Sequence, residues 1–330
     1  MPEVRILSDA DVRKVLTMKD CIDVIDTTMR TASKRDLMNP LRQIVPLPGD
    51  VTGFLGYMPG WLGDPKVFGA KLISVFPGNH AKGLGTHLGI VIIFETETGQ
   101  PRAIMNGGTV TAIRTAAASG VATRALARDD ASTVAILGYG EQAREHITAM
   151  AAVRPVRRVI VWGRSADKAR AFIKDHADLA PDATFEVASS VEEAVADADI
   201  ICTTTAAKEP ILMGRWVKPG THVNAVGASQ PNVAEVDSDL VARSRYYVDF
   251  IPSVEAESKQ YRDALEAGAI SEGHIIGEVG AVLDGNVPGR QSPEDITFFE
   301  SVGFAAEDLG TASFVLDRAR TLNVGVPVDF

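Results

Sequence analysis

Three cations, Arg42, Lys71 and Arg114, stand where cations are costly. Lys71 lies inside the ten-residue apolar run Val67–Phe76, which reads VFGAKLISVF. A lysine there must find a partner or lose its proton readily, because burial disfavours the ammonium form. That makes it a general acid or base of usable strength. Arg42 lies in the strand region of Pro40-Leu41-Arg42-Gln43, and Arg114 in the otherwise small and apolar Thr111–Ala116. A planar guanidinium suits a carboxylate through two parallel hydrogen bonds. His87, in Gly85-Thr86-His87, would add a donor near the same place. Each taken alone has a plainer reading as a snorkelling lysine, a structural ion pair or a satisfied sheet histidine.

A second constellation is Val134–Ala143, reading VAILGYGEQA. An apolar strand runs into a glycine turn and a helix start. Gly138 turns the chain off the strand, Gly140 lets backbone approach a pyrophosphate, and Ala143 lets helix pack on strand. Strand before and helix after are the context that a dinucleotide-binding turn requires. At the end of the next strand the chain reads Trp162-Gly163-Arg164-Ser165-Ala166-Asp167-Lys168. No acid stands there to hold ribose hydroxyls, and Arg164, Ser165 and Lys168 tilt the site toward a 2′-phosphate.

Strands are expected at Arg157–Gly163, Thr184–Ala188, Ile200–Thr205, Thr221–Gly227 and Tyr246–Phe250. Helical patterns separate them at Glu141–Val153, Ala166–Ala177 and Val191–Ala196. Alternation of this kind predicts an α/β chain with a Rossmann-type, doubly wound parallel sheet. The N-terminal part differs. Two helices, Asp9–Leu16 behind a Ser8 cap and Lys19–Ser33, precede strands at Leu41–Leu47, Gly53–Met58, Val67–Phe76, Leu88–Phe94 and Arg102–Met105. The last two are joined by the turn Glu97-Thr98-Gly99-Gln100. The Ala/Thr-rich helix Thr109–Ala127 leads into the nucleotide half, and a last helix near Ala305–Leu322 returns to the first. The expected organisation is therefore a discontinuous α+β substrate and dimerisation domain, residues 1–115 and 305–330, around a dinucleotide-binding domain, residues 116–304. The default place for a substrate is the cleft of such a pair.

Composition narrows the function classes. A net charge of −10 argues against nucleic acid or an anionic membrane as partner. The longest wholly apolar run, near Ile90–Phe94, is too short to span a bilayer, and the N-terminus lacks a signal-peptide core, so a cytoplasmic protein is expected. Cys21 and Cys202 read as reduced packing residues, and the histidines at 80, 87, 146, 176, 222 and 274 form no metal-ligand spacing.

Together these segments resemble the ornithine cyclodeaminase/mu-crystallin family over nearly the whole chain. The resemblance is carried by Met38–Gln43 (MNPLRQ), Gly69–Asn79 (GAKLISVFPGN), Glu97–Gly107 (ETGQPRAIMNG) and Thr109–Ser119 (TVTAIRTAAAS). It continues through LGYGEQA, Asn224–Pro231 (NAVGASQP) and Val287–Ala312. It implies a homodimer built through the first domain, with NAD(H) or NADP(H) on the second. By resemblance Lys71 is the acid/base, and Arg42, Arg114, His87 and Ser229 line the substrate. Thr115, Gly138, Gly140, Glu141, Gln142, Ala143, Arg164, Ser165, Lys168, Thr204, Val226, Gly227, Ser301 and Gly303 would surround the cofactor.

Ser229 stands where cyclodeaminases carry an aspartate, which turns the expectation away from ring closure with ammonia loss. The implied activity is reversible NAD(P)H-dependent reduction of a 2-imino acid to an L-amino acid, with iminosuccinate to L-aspartate as the leading substrate. Alanine dehydrogenase, cyclic ketimine reduction and a mu-crystallin-type binding protein are the alternatives.

Overall fold

The computed structural model describes residues 3–49 and 51–329; the side chains of Pro77, His80, Ala81 and His87 lie outside the described residues. The chain opens with strand β1 (Glu3–Leu7), then helices α1 (Asp9–Val15) and α2 (Met18–Ser33). The expected cap at Ser8 is a full capping box: Asp11 N–H donates to Ser8 Oγ at 3.3 Å, and Ser8 N–H to Asp11 Oδ2 at 3.0 Å. Strands β2 (Leu37–Met38), β3 (Gln43–Pro46), β4 (Phe54–Gly63), β5 (Lys66–Val75), β6 (His87–Phe94) and β7 (Pro101–Asn106) follow. Helix α3 (Gly107–Leu126) leads to β8 (Thr133–Leu137), α4 (Glu141–Val153), β9 (Arg158–Trp162), α5 (Ala166–His176), β10 (Thr184–Val187) and α6 (Val191–Val195). Next come β11 (Ile200–Thr203), β12 (His222–Ala225), α7 (Ser238–Arg243), β13 (Arg245–Val248), α8 (Ile251–Glu257) and α9 (Lys259–Glu266). The chain ends with β14 (Gly277–Glu278), α10 (Val279–Leu283), β15 (Thr297–Glu300), α11 (Ala305–Thr321) and β16 (Val326–Asp329).

Two compact units result: Met1–Arg114 with Phe304–Phe330, and Thr115–Gly303. In the first, the sheet order is β16-β1-β7-β6-β5-β4-β2, with β3 also on β4. The pairs from β4 to β7 are antiparallel, whereas β1 joins β7 in parallel. Helix α11 packs on α2, β4 and β5, and nearly all of its first three turns are buried. The opposite face of the sheet carries Leu55, Leu88, Ile90 and Ile6, all exposed. Register puts them in one apolar field: Leu55 and Leu88 both face Ser74, Ile90 faces Leu72, and Ile6, Ile104 and Ile92 stand in line.

The second unit is a parallel eight-stranded sheet, β10-β9-β8-β11-β12-β15-β13-β14. The chain winds outward from β8 through β9 to β10, then resumes at β11 on the other side of β8. The topological switch point, where open α/β sheets bind ligands, therefore lies at the carboxyl ends of β8 and β11. In this sheet the expected strands after β8 are present, slightly shorter than read, and β14 and β15 are additions; in the first sheet β4 and β7 run longer than expected, and β1, β2 and β16 are additions. The region Leu41–Leu47 contracts to Gln43–Pro46, so Arg42 precedes the strand and does not lie on it; the prolines around it remove ladder donors. Among the described residues no helix is long and apolar enough to cross a membrane.

Gly69 shows how tightly the first sheet is drawn. A Cβ there would be driven into the Ile92 carbonyl, next to the register shift at Ile93/Phe94. Gly69→Ala should therefore cost about 1–3 kcal/mol by overpacking, seen as a lower urea midpoint with unchanged slope.

Candidate active site

In the first unit the predicted cations meet two acids that the sequence reading did not single out. Lys71 sits mid-sheet on β5, between Met58 of β4 and Val91 of β6, and all three are buried. Its Nζ lies 2.7 Å from Asp308 Oδ2, on the first turns of α11. Arg114, on α3, donates Nε to Asp308 Oδ1 at 3.0 Å and Nη1 to Glu307 Oε2 at 2.7 Å. Asp308 thus bridges the two cations, and both acids are fully buried. An unpaired charge at such depth would be prohibitive, whereas a hydrogen-bonded network is tolerable. Helix α11 is locked in place by the loop bearing Arg42: Asn39 Oδ1 accepts the Ala305 N–H at 2.8 Å.

Burial pushes the Lys71 ammonium down to about 8, with the neighbouring Arg114 and Arg42 charges helping and Asp308 opposing. Arg42 is half-buried and close enough for its charge to act on Lys71. Asp308, by contrast, is held below the usual carboxylate range: burial raises it, but Arg114 and Lys71 outweigh that. The pair is therefore ionic at neutral pH. Its lysine can give up a proton within reach of physiological pH. An ammonium has three donors, and Asp308 takes one. His87 opens β6, and its side chain lies outside the described residues.

In the second unit the glycine turn has the anticipated form. Gly138 has φ +130°, and a Cβ on it would stand 2.6 Å from Thr204 Oγ1 and 2.8 Å from the Thr204 carbonyl oxygen. The ends of β8 and β11 touch there: Thr204 donates N–H and Oγ1 to the Leu137 carbonyl, at 2.9 and 3.0 Å. Beside Gly140 a Cβ would meet open space. Gly140 is the N-cap of α4 and supplies no side-chain cap, so the first helical turn, Glu141, Gln142 and Ala143, starts beside that space. These features fit a pyrophosphate.

At the end of β9, Arg164 and Lys168 are exposed. Ser165 is already used: its Oγ caps α5 through Lys168 N–H at 3.4 Å. Thr115 is buried on α3, and Val226 and Gly227 follow β12 directly. Ser229 is half-buried in the same loop. Ser301 Oγ and Gly303 N–H both donate to Asp249 Oδ2, at 2.9 and 2.7 Å, which holds the segment after β15.

The adjacent Glu307-Asp308 at the head of an apolar segment was the available signal for the missed acids, since buried cations require buried anions of the same number. Asp308→Asn should cost about 3–5 kcal/mol in chemical denaturation, the penalty for stranding one partner of a buried pair. Lys71→Met combined with Asp308→Asn should cost clearly less than the two single losses added, because the double variant leaves no stranded ammonium.

Comparison with known proteins agrees with this architecture. The family described as ornithine cyclodeaminase/mu-crystallin matches residues 3–323. Ketimine reductase mu-crystallin of Mus musculus is 38% identical over 282 residues, 85% of this chain and 85% of that protein. The structure of Thermococcus litoralis Delta(1)-pyrroline-2-carboxylate reductase, in complex with NADH and L-proline, superposes with a TM-score of 0.95 at 34% identity, over 98% of this chain and 100% of that one. The iminosuccinate reductase of Paracoccus denitrificans, in complex with NAD+, gives 0.91 at 28% identity, over 99% and 100%. With its glycine turn at a parallel-sheet switch point and its buried lysine on an antiparallel sheet, the chain belongs to the ornithine cyclodeaminase/mu-crystallin family.

Proposed function

We propose that this chain reduces the C=N bond of a 2-imino carboxylate to an L-amino acid with NADH or NADPH. The observation that carries the reading is the Lys71 ammonium, ion-paired on one side to Asp308 and flanked by two arginines. Arg42 and Arg114 hold the carboxylate, and the acid pair of α11 fixes the Arg114 plane. Lys71 gives its proton to the imine nitrogen as that nitrogen gains an electron pair, then recovers one from solvent. When bound, the nicotinamide supplies the hydride that C2 receives. Gly138, Gly140 and the first turn of α4 hold its pyrophosphate, Arg164 and Lys168 face its adenosine end, and the segments at Gly227 and Ser301–Gly303 frame its other end. Ser229 offers no carboxylate for a side-chain amine, so ring closure with ammonia loss is not part of the reading.

Charge balance bears on the substrate. Glu307 and Asp308 already neutralise Lys71 and Arg114. A second substrate carboxylate would meet two compensated cations. This favours a monocarboxylate such as a cyclic ketimine, a reading supported by the likeness to a ketimine reductase and to a Delta(1)-pyrroline-2-carboxylate reductase. Iminosuccinate stands as the second reading, supported by the likeness to an iminosuccinate reductase at 28% identity. Nicotinamide absorbance with 1-pyrroline-2-carboxylate, iminosuccinate, and pyruvate plus ammonia decides among them. The reading expects the highest kcat/KM with the cyclic imine, and oxidation with none of the three would overturn it.

The pH profile follows from Lys71. Reduction needs the protonated lysine, so its kcat/KM should be level below about pH 8 and fall about tenfold per unit above it. Amino-acid oxidation needs the neutral amine, so its kcat/KM should climb toward the same pH and then level. Lys71→Met should lower kcat by about 10²–10⁴ and erase both limbs.

The exposed apolar face of the first sheet supports a homodimer, since a continuous field of this kind marks an interface. Leu88→Asp with Ile90→Asp should convert the protein to monomer in sedimentation velocity, while a dimer that survives both changes places the interface elsewhere.

A further inference from the structure

One buried carboxylate holds together the ends of two strands beside the switch point. Glu235 lies beyond β12 and is fully buried. Its Oε2 accepts from Thr203 Oγ1 at 2.7 Å and from Gly227 N–H at 2.8 Å. Its Oε1 accepts from Thr205 N–H at 2.6 Å and from Thr205 Oγ1 at 2.7 Å. The Thr205 hydroxyl, which donates to Glu235, also accepts from Ala207 N–H at 3.1 Å. All four groups around the carboxylate are donors.

The backbone of Glu235 is anchored too. Its carbonyl accepts Ile211 and Leu212 N–H at 2.9 and 3.0 Å, and its N–H donates to Gln260 Oε1 at 3.3 Å. Gly227 leaves no slack: a Cβ there would strike the Thr205 carbonyl and come within 2.6 Å of the Glu235 carboxyl carbon. Thr203 and Thr205 flank Thr204, the residue that closes on Gly138 of the phosphate turn.

We infer that Glu235 is a positioning residue for the cofactor: its carboxylate sets the backbone of Thr203–Thr205 and Gly227, and with it the wall of the crevice at the ends of β11 and β12. This rests on the reading that the nicotinamide cofactor binds the second unit. Burial pushes the Glu235 carboxyl up against the pull of its donors, and the four donors it meets suit a carboxylate that accepts at both oxygens. An amide of the same shape would turn an NH2 toward two donors and push one strand end away. Aspartate would fall one methylene short. Glu235 touches no reacting atom, so its effect is on affinity and alignment and not on proton transfer.

The test is a titration of the purified full chain with NADH and with NADPH, followed by cofactor fluorescence, beside thermal unfolding without cofactor. Wild type, Glu235→Gln and Thr203→Val are compared. Glu235→Gln should weaken the preferred cofactor about tenfold, the loss of roughly one charge-assisted hydrogen bond. Thr203→Val keeps the shape, removes one of the four donors, and should weaken it about threefold with little change in melting temperature. The pH dependence of kcat/KM should keep its wild-type midpoint in both, because Lys71 is untouched.

Wild-type affinity in folded Glu235→Gln, or in Thr203→Val if the first variant does not fold, overturns the inference. A loss of melting temperature in Thr203→Val without loss of affinity does the same, since that is the mark of a purely structural role. Failure of the wild type to bind either cofactor would instead remove the functional reading itself, and the inference with it.

Discussion

Two acids and two cations, buried together, organise the first unit. Lys71 reaches the middle of a sheet and Arg114 the middle of a helix, places where a lone charge would cost more than the fold can supply. Both are matched by Glu307 and Asp308 on one turn of α11. The partners are almost two hundred residues later in sequence than Arg114. The chain must therefore leave the first unit, build a complete parallel sheet and come back. The paired charges and the apolar packing of α11 on α2, β4 and β5 together hold the two segments of the unit to each other.

The same rule recurs in the second unit with the signs arranged differently. Two of its buried carboxylates gather backbone N–H groups and hydroxyls. Asp249 gathers Ser301 and Gly303, and Glu235 gathers Thr203, Thr205 and Gly227. Strand ends in a parallel sheet run out of ladder partners, and their loose N–H groups need acceptors. Placing carboxylates there satisfies the backbone and fixes loop geometry at the end of the sheet where ligands bind. Preorganised loops of this kind spare a bound cofactor the cost of ordering them.

The first unit's cluster also sets how the proposed chemistry is tuned. Desolvation and two arginines weaken the hold of Lys71 on its proton, and Asp308 keeps that proton from being lost at neutral pH. Removing either influence would move the lysine out of the range where it both donates and recovers a proton. Because the acids already balance Lys71 and Arg114, the proposed substrate needs to bring only one carboxylate to the site.

Much of this was legible in the amino-acid sequence. Local apolar periodicity with glycine and capping signals defines β8, the turn at Gly138, α4 and the alternating elements after it, because those signals act over a few residues. Lys71 and Arg114 announced themselves as charges in apolar surroundings, which is also a local property. What the sequence left open is long-range. Strand β15 comes late in the chain yet inserts between β12 and β13. Strand β1 pairs with β7 and with β16 from the opposite terminus. Pairing of that kind depends on which hydrogen-bonding edges and apolar faces remain uncovered once the rest has folded, and no local pattern encodes it. The identity of the acids at Lys71 and Arg114, and the convergence of four donors on Glu235, likewise exist only in three dimensions: residue types determined that buried charges would need partners, and tertiary structure decided which ones.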